Sequence, residues 1–281
     1  MLGDITAALA CPHCGAELTR ADNSLRCADG HTHDIARQGY VNLLGGTGAG
    51  TADTAAMVAA RVDFLGAGHY DPLTHALAAA ADTPAPGVIL DIGAGTGHHL
   101  ALVLDAHPHR AGLALDISKH ALRRAARAHP RIGAAVCDAW RPLPVRDHTA
   151  AAVLNVFAPR NPAELHRVLH PDGVLVVAAP HPAHLRELVP ALGLLRVDAD
   201  KGERIDAKLA GHFTLSERDT VTFTMALDHT AIAGVVAMGP SAWHTDPAAL
   251  HARVQALPNP TDVTASVTVS RYTPIRRLPK P

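Results

Sequence analysis

The segment VILDIGAGTG at 88–97 constrains this chain more than any other stretch. Val88, Ile89 and Leu90 form a short apolar run of the kind that fills a central parallel strand, and Pro84, Pro86 and Gly87 set it off from what precedes. Asp91 follows, then a turn with glycine at alternate positions, Gly93, Gly95 and Gly97. Lacking Cβ atoms, such a turn can fold tightly and let a ligand approach the backbone. The spacing D-x-G-x-G-x-G departs from the dinucleotide fingerprint G-x-G-x-x-G, whose last glycine would fall where His98 stands. NAD and FAD are disfavoured on that ground.

Strands and helices alternate downstream. AGLALDIS (111–118) is a second apolar run, and its Asp116 stands about 20 residues beyond the turn, where doubly wound folds place an acid on ribose hydroxyls. A helix is predicted over 119–128, and a third strand over 132–140 that includes Asp138, where such folds often bind the adenine amino group; a surface acid is the alternative. A fourth strand at 150–159 carries Asn155 and Phe157, and a helix at 162–170 leads to a fifth strand within 171–180. This order predicts an α/β fold with a mostly parallel sheet and ligands beyond the carboxyl ends of its strands. The glycine turn in this setting resembles the S-adenosylmethionine site of class I methyltransferases.

The 281 residues leave room for a large domain and a smaller module, and 48% hydrophobic content supplies a core. A net charge of −1 excludes a polycation, so nucleic-acid binding would need a local basic surface. No apolar run approaches the ~20 residues of a membrane span. MLGDITAALAC ends like a lipoprotein cleavage box, but it lacks a basic leader and carries Asp4, so a cytoplasmic protein is expected.

Cys11, Cys14, Cys27 and His31 form C-x2-C-x12-C-x3-H, the pattern of a structural zinc site, with His33 as an alternative fourth ligand. Turn residues Asp22, Asn23 and Ser24 between two short strands suit a zinc-ribbon-like hairpin. Four protein ligands leave the ion no open position, so its role is folding rather than catalysis. The expected organisation is a zinc-binding module at 1–44, a linker with helices at 45–84, and a methyltransferase domain at 85–281. The glycine-rich 45–53 reads as a mobile link, with Asp53 capping a helix that runs to about Leu65. Cys137, alone at a strand end, reads as core.

A zinc hairpin, then RQGYVNLL (37–44), FLGAGHYDPL (64–73) and LDIGAGTG together resemble the bacterial 23S rRNA (guanine-N1)-methyltransferases of the Gram-positive branch, over nearly the whole chain. The resemblance implies a class I, Rossmann-like fold with a seven-stranded sheet, S-adenosylmethionine as cofactor, structural Zn2+, 23S rRNA as partner and a homodimer. It carries the zinc ligands onto Cys11, Cys14, Cys27 and His31, and the cofactor contacts onto Tyr70, Gly97 with His98, Asp116 and His184. Asp91, Gly93, Gly95 and Asp138 complete the expected cofactor site. Tyr70 could instead staple the linker helix to the sheet, and His184 could be a helix-start histidine.

Asn155 and Phe157 occupy the position where base methyltransferases hold their target, and Phe157 could stack on an extruded guanine. The N1 proton must leave during transfer, and His184, His181 and Asp138 are the candidate bases. One feature cuts against RNA at the ribbon. Residues 1–60 hold three basic residues, Arg20, Arg26 and Arg37, against six acidic ones. The best basic stretch is Lys119, Arg123, Arg124, Arg127 and Arg131, on a helix face that could track phosphates or simply be solvated; Arg276, Arg277 and Lys280 add to it. A small-molecule methyltransferase and a non-catalytic zinc or cofactor-binding module are the rival readings.

Overall fold

The computed structural model describes residues 5–44, 52–239 and 246–276. Three short antiparallel strands, β1 (Thr19–Ala21), β2 (Ser24–Arg26) and β3 (Thr32–Asp34), form the N-terminal hairpin sheet. β4 (Tyr40–Asn42), α1 (Ala55–Gly66) and α2 (Asp71–Ala80) lead to the glycine-turn strand β5 (Val88–Ile92). Then come α3 (His98–Ala106), β6 (Gly112–Asp116), α4 (Lys119–Ala128), β7 (Ile132–Val136), β8 (Ala150–Val156), α5 (Pro162–Val168) and β9 (Leu169–Pro180). The chain closes with α6 (Leu188–Leu192), α7 (Lys201–Leu209), β10 (Phe213–Leu227), α8 (His229–Ala237), α9 (Pro247–Gln255) and β11 (Thr261–Pro274).

The large sheet runs β10-β11-β9-β8-β5-β6-β7-β4. β4 to β9 pair in parallel, and β10 and β11 add antiparallel strands beyond β9. Strand order reverses between β5 and β8, so the crevice outside their carboxyl ends is the place for a ligand. Every residue of β5, β7 and β8 is buried, as expected of strands covered on both faces. Leu73, Leu100, Leu122, Leu154 and Val176 fill one face. Ile92, Leu115, Val153 and Leu175 fill the other, together with Leu9, Leu18 and Leu25 of the metal hairpin.

The expected seven strands are β5 to β11; the structure adds an eighth. β4 pairs with β7 in parallel, Tyr40 opposite Ala134 and Asn42 opposite Val136, so the chain leaving the hairpin becomes part of the cofactor sheet. Three residues are too few for period-2 patterning to reveal in sequence. Two local readings also change. Thr54, not Asp53, caps α1, its hydroxyl accepting from the Met57 amide, because Asp53 is drawn into an ion pair with Arg61. β7 ends at Val136 rather than at 140, which leaves Asp138 in the turn that follows. Most of the 45–53 link, and Arg277 and Lys280, lie outside the described residues.

Candidate active site and metal centre

The four predicted metal ligands converge. Their donor atoms all lie within 4.8 Å of one another. Cys14 Sγ is 3.7 Å from Cys27 Sγ, and His31 Nδ1 is 3.3 Å from Cys27 Sγ and 3.6 Å from Cys11 Sγ. A tetrahedral zinc ion with bonds of about 2.3 Å to sulfur and 2.0–2.1 Å to nitrogen requires edges of roughly 3.5–3.8 Å, so the donor set fits. His33 stays outside the four: its Nε2 is 3.7 Å from Cys11 Sγ, and its ring stacks on His13 at 5.6 Å. A ring nitrogen beside a ligating sulfur is the kind of outer contact that orients the ligand.

At the end of the central strand β5 the glycine turn has the backbone it needs. Gly93, Gly95 and Gly97 all have positive φ, 75°, 54° and 74°. The protein itself occupies the space that Cβ atoms would take at two of them. A Cβ on Gly93 would stand 2.6 Å from Ala158 Cβ, and one on Gly97 would stand 3.0 Å from Ala125 of α4. These glycines therefore bring the target-side loop and a helix close to the cofactor crevice.

The predicted acids surround this turn. Asp116 accepts from the Gly95 amide through Oδ2 (2.9 Å) and from the Ser118 amide through Oδ1 (2.8 Å), which aims its carboxylate across the turn. Burial raises its pKa from the usual carboxylate range, against those two amide bonds. Asp91 is buried, its Oδ1 has no hydrogen-bond partner, and burial with the Asp116 charge pushes its pKa up to about 7. His98 Nε2 is likewise buried and unpartnered. Orphaned polar atoms beside a glycine turn are what a polar ligand would satisfy, so the crevice fits a cofactor carrying ammonium and hydroxyl groups. Asp138 is less available: Oδ1 accepts from the Trp140 amide (2.9 Å), and Oδ2 lies 3.6 Å from Arg141 Nε.

The residues expected to hold the target come from the ends of β8 and β9 and the start of α2. Asn155 is fully buried; its Nδ2 donates to the Pro159 carbonyl (2.8 Å), and its Oδ1 has no partner. Phe157 sits at φ +53°, a left-handed conformation unusual for a bulky residue, and is itself 42% exposed. Such strain concentrates at functional sites. The Phe157 ring stacks against His184 at 6.2 Å and lies 6.5 Å from Tyr70.

His184 accepts from the Ser266 amide at Nδ1 (3.2 Å), so its hydrogen is on Nε2, 3.3 Å from the Tyr70 hydroxyl. Burial pulls its pKa down to about 4. A neutral imidazole with its lone pair engaged is a donor in this arrangement. His181 shows the same pattern, with Nδ1 accepting from the Ala183 amide (3.3 Å).

Two further results bear on the sequence reading. Arg131 is no phosphate contact: its guanidinium donates to the carbonyls of Leu104, His107 and Arg110, tying off the end of α3. Lys119, His120, Arg123, Arg124 and Arg127 do form an exposed face. Arg276 is paired with Asp172. Arg61 was not foreseen. It lies against Gly95, donates to the Met238 carbonyl (2.8 Å) and pairs with Asp53, and nothing in sequence links positions so far apart. Cys137 is buried, and burial pushes its thiol pKa up, as a core residue should behave. Among the described residues, no helix is long and apolar enough to cross a membrane.

Comparison with known proteins agrees with this geometry. The zinc-ribbon family described as RlmA, N-terminal, matches residues 9–45, and a methyltransferase-domain family matches residues 89–173. The Bacillus subtilis YcgJ crystal structure superposes with a TM-score of 0.51 at 16% identity, covering 74% of this chain and all of that one, a likeness of fold. The 23S rRNA (guanine(748)-N(1))-methyltransferase of Streptomyces fradiae is 52% identical across 99% of this chain and 100% of its own length. A Micromonospora griseorubida protein assigned by its name to the same guanine-N1 class is 53% identical across 97% of this chain and 99% of its own. The chain belongs to the bacterial 23S rRNA (guanine-N1)-methyltransferase family.

Proposed function

We propose that this enzyme methylates N1 of a guanine in the 23S rRNA hairpin loop near the peptide exit tunnel, in the region of nucleotide 748, and that the modification contributes to resistance to macrolides such as tylosin. The observation that carries the reading is the strained, exposed Phe157 ring standing beside Tyr70 and His184, next to the orphaned Asn155 Oδ1. A flat surface with a buried acceptor beside it suits an extruded base.

When bound, S-adenosylmethionine supplies an electrophilic sulfonium methyl. Asp116 would hold the ribose hydroxyls, Asp91 the ammonium, and Tyr70, His98 and the Gly93–Gly97 turn the rest of the cofactor, with Asp138 placed for the adenine amino group. Phe157 stacks the guanine, and Asn155 Oδ1 accepts from its N–H edge. His184 holds a proton at Nε2 and props the Tyr70 and Phe157 rings. Transfer would form the N1–methyl carbon bond as the methyl–sulfur bond breaks, the thioether S-adenosylhomocysteine would leave, and the N1 proton would pass to water, since Nδ1 of both His184 and His181 already accepts from a backbone amide. Alignment of this kind contributes about 7–11 kcal/mol to barrier reduction. The zinc hairpin, fixed against the sheet, helps to recognise the RNA. The family resemblance supports a cytoplasmic homodimer whose shared cleft holds the hairpin.

The test is transfer of labelled methyl groups to 23S rRNA, mapped by primer extension. N1-methylguanine blocks Watson–Crick pairing, so a single reverse-transcriptase stop in the hairpin is expected. No transfer to free rRNA or ribosomes, with cofactor binding intact, would instead favour a small-molecule substrate.

A further inference from the structure

A second cavity, of about 240 Å³, lies beside the target loop between β9, β10, β11 and the start of α7. His181, Lys201, Gly202, Arg218, Thr220 and Thr268 contribute its polar lining, and no carboxylate does. Arg218 is already neutralised, donating to both oxygens of Asp206 at 3.0 and 2.6 Å. Lys201 is not. Its ammonium makes no ion pair or side-chain hydrogen bond among the described residues, while neighbouring Arg204 is matched by Asp198 at 2.5 Å. Burial lowers the Lys201 pKa, with the charges of Arg160 and Arg204 adding to it, and the buried Nε of Arg160 has no partner.

A partly buried ammonium with no counter-ion costs free energy unless an anion joins it. The remaining groups are donors as well. With Nδ1 accepting from the Ala183 amide, His181 carries a hydrogen on Nε2. The first helical bond of α7 runs from the Arg204 amide to the Asp200 carbonyl, so the amide of Gly202 at the cavity wall has no helical partner and sits at the positive end of the helix. Many donors without an acidic lining fit a group with several anionic oxygens.

The cavity adjoins the target site through the backbone. The His181 carbonyl accepts from the His184 amide (2.8 Å), and Arg160 follows Pro159, whose carbonyl holds Asn155. We infer that this cavity takes a backbone phosphodiester of the RNA, one flanking the target guanine, gripped by Lys201 and His181 at its wall, with the charge of Arg160 adding to the attraction. This rests on RNA being the substrate.

The test uses the full-length, zinc-loaded protein and an RNA hairpin spanning nucleotide 748, in which single phosphates are replaced by neutral methylphosphonates. In the wild type, one linkage beside the target guanine should raise KM about tenfold, the scale of one lost charge-assisted hydrogen bond. Lys201→Met should raise KM similarly on unmodified RNA, and neutralising that linkage should then add little. Its salt slope should fall by about 0.7–1, its affinity for S-adenosylmethionine should be unchanged, and Lys201→Arg should restore KM. Arg160→Gln should repeat this pattern; Lys201 carries the test if that variant loses cofactor binding. Unchanged KM and salt slope in Lys201→Met, or additive losses at every linkage, would overturn the inference while leaving the methylation reading intact. A wild type that does not methylate the hairpin would overturn both.

Discussion

The Tyr70 hydroxyl and His184 Nε2 lie 3.3 Å apart, joining the start of α2 to the turn after β9 across the mouth of the crevice. Because the Ser266 amide occupies Nδ1, the pair is a fixed hinge pin with its hydrogen already placed. Depression of the His184 pKa to about 4 keeps the ring neutral in the native state, while the unfolded chain takes up its proton near pH 6.5. That contribution to stability is present above pH 6.5 and is lost as pH falls towards 4. The rate should therefore show no limb with an apparent pKa near 6.5 assignable to His184. His184→Gln should keep measurable turnover, and a pH–kcat profile whose acid limb disappears in that variant would make His184 the base after all.

Asp91 gives the opposite dependence. Its folded pKa, pushed up to about 7, lies above the unfolded value, so the native state binds more protons between about pH 4 and 7 and stability falls over that window. Asp91→Asn should be more stable than wild type by up to a few kcal/mol above pH 7, and no more stable below pH 4. Its affinity for S-adenosylmethionine should drop sharply. Wild-type affinity should strengthen as pH rises through about 7, because an ionised Asp91 attracts the ammonium group. Calorimetric titrations at several pH values check both.

Phe157 separates activity from stability. Phe157→Ala should lower kcat at least tenfold with cofactor affinity unchanged. Phe157→Gly should melt no lower than Phe157→Ala, despite the extra chain entropy of glycine, because the left-handed φ of +53° no longer costs about 1–2 kcal/mol. Equal loss of cofactor binding and turnover in Phe157→Ala would assign the ring to the core instead.

Cys14→Ser removes one corner of the metal tetrahedron. Leu9, Leu18 and Leu25 of the hairpin are packed into the cluster that covers the sheet face, so metal loss should lower Tm by several degrees as well as abolish rRNA methylation. None of the four metal ligands belongs to the crevice, which should still bind S-adenosylmethionine. Zinc analysis by mass spectrometry, with binding measured on the same sample, checks this.

Arg131→Ala should destabilise the fold by about 1–3 kcal/mol, since three helix-end carbonyls lose a charged donor. Its KM for rRNA should not change. Arg124→Ala, on the exposed face of α4, should do the reverse if that face meets phosphates. Thermal melts beside KM measurements separate the two arginines.

These contrasts mark what could be read in the chain itself. The glycine turn, the acids at strand ends and the cysteine spacing were legible because each depends on neighbours within a few residues or on a repeated period. Arg61, which meets Gly95 and Met238, and Lys201, which shares a cavity wall with His181 and Arg218, were not, because only the folded chain brings them together. Arg131 looked like part of a basic stripe because helix spacing says nothing of carbonyls offered by another element. Asp53 looked like a cap until Arg61 claimed it, and Thr54, one residue on, took the role.

The three residues of β4 have a consequence for how copies of this protein can meet. An open sheet has two unpaired borders, each a row of amides and carbonyls ready to recruit another chain. Here the border beside β7 is shortened to the three residues of β4, which Ile35 partly covers by bridging to Val41, whereas the other border is the fifteen-residue β10. The long row of main-chain groups open to another chain therefore lies along β10, at the border opposite β4, so main-chain pairing between copies favours that address.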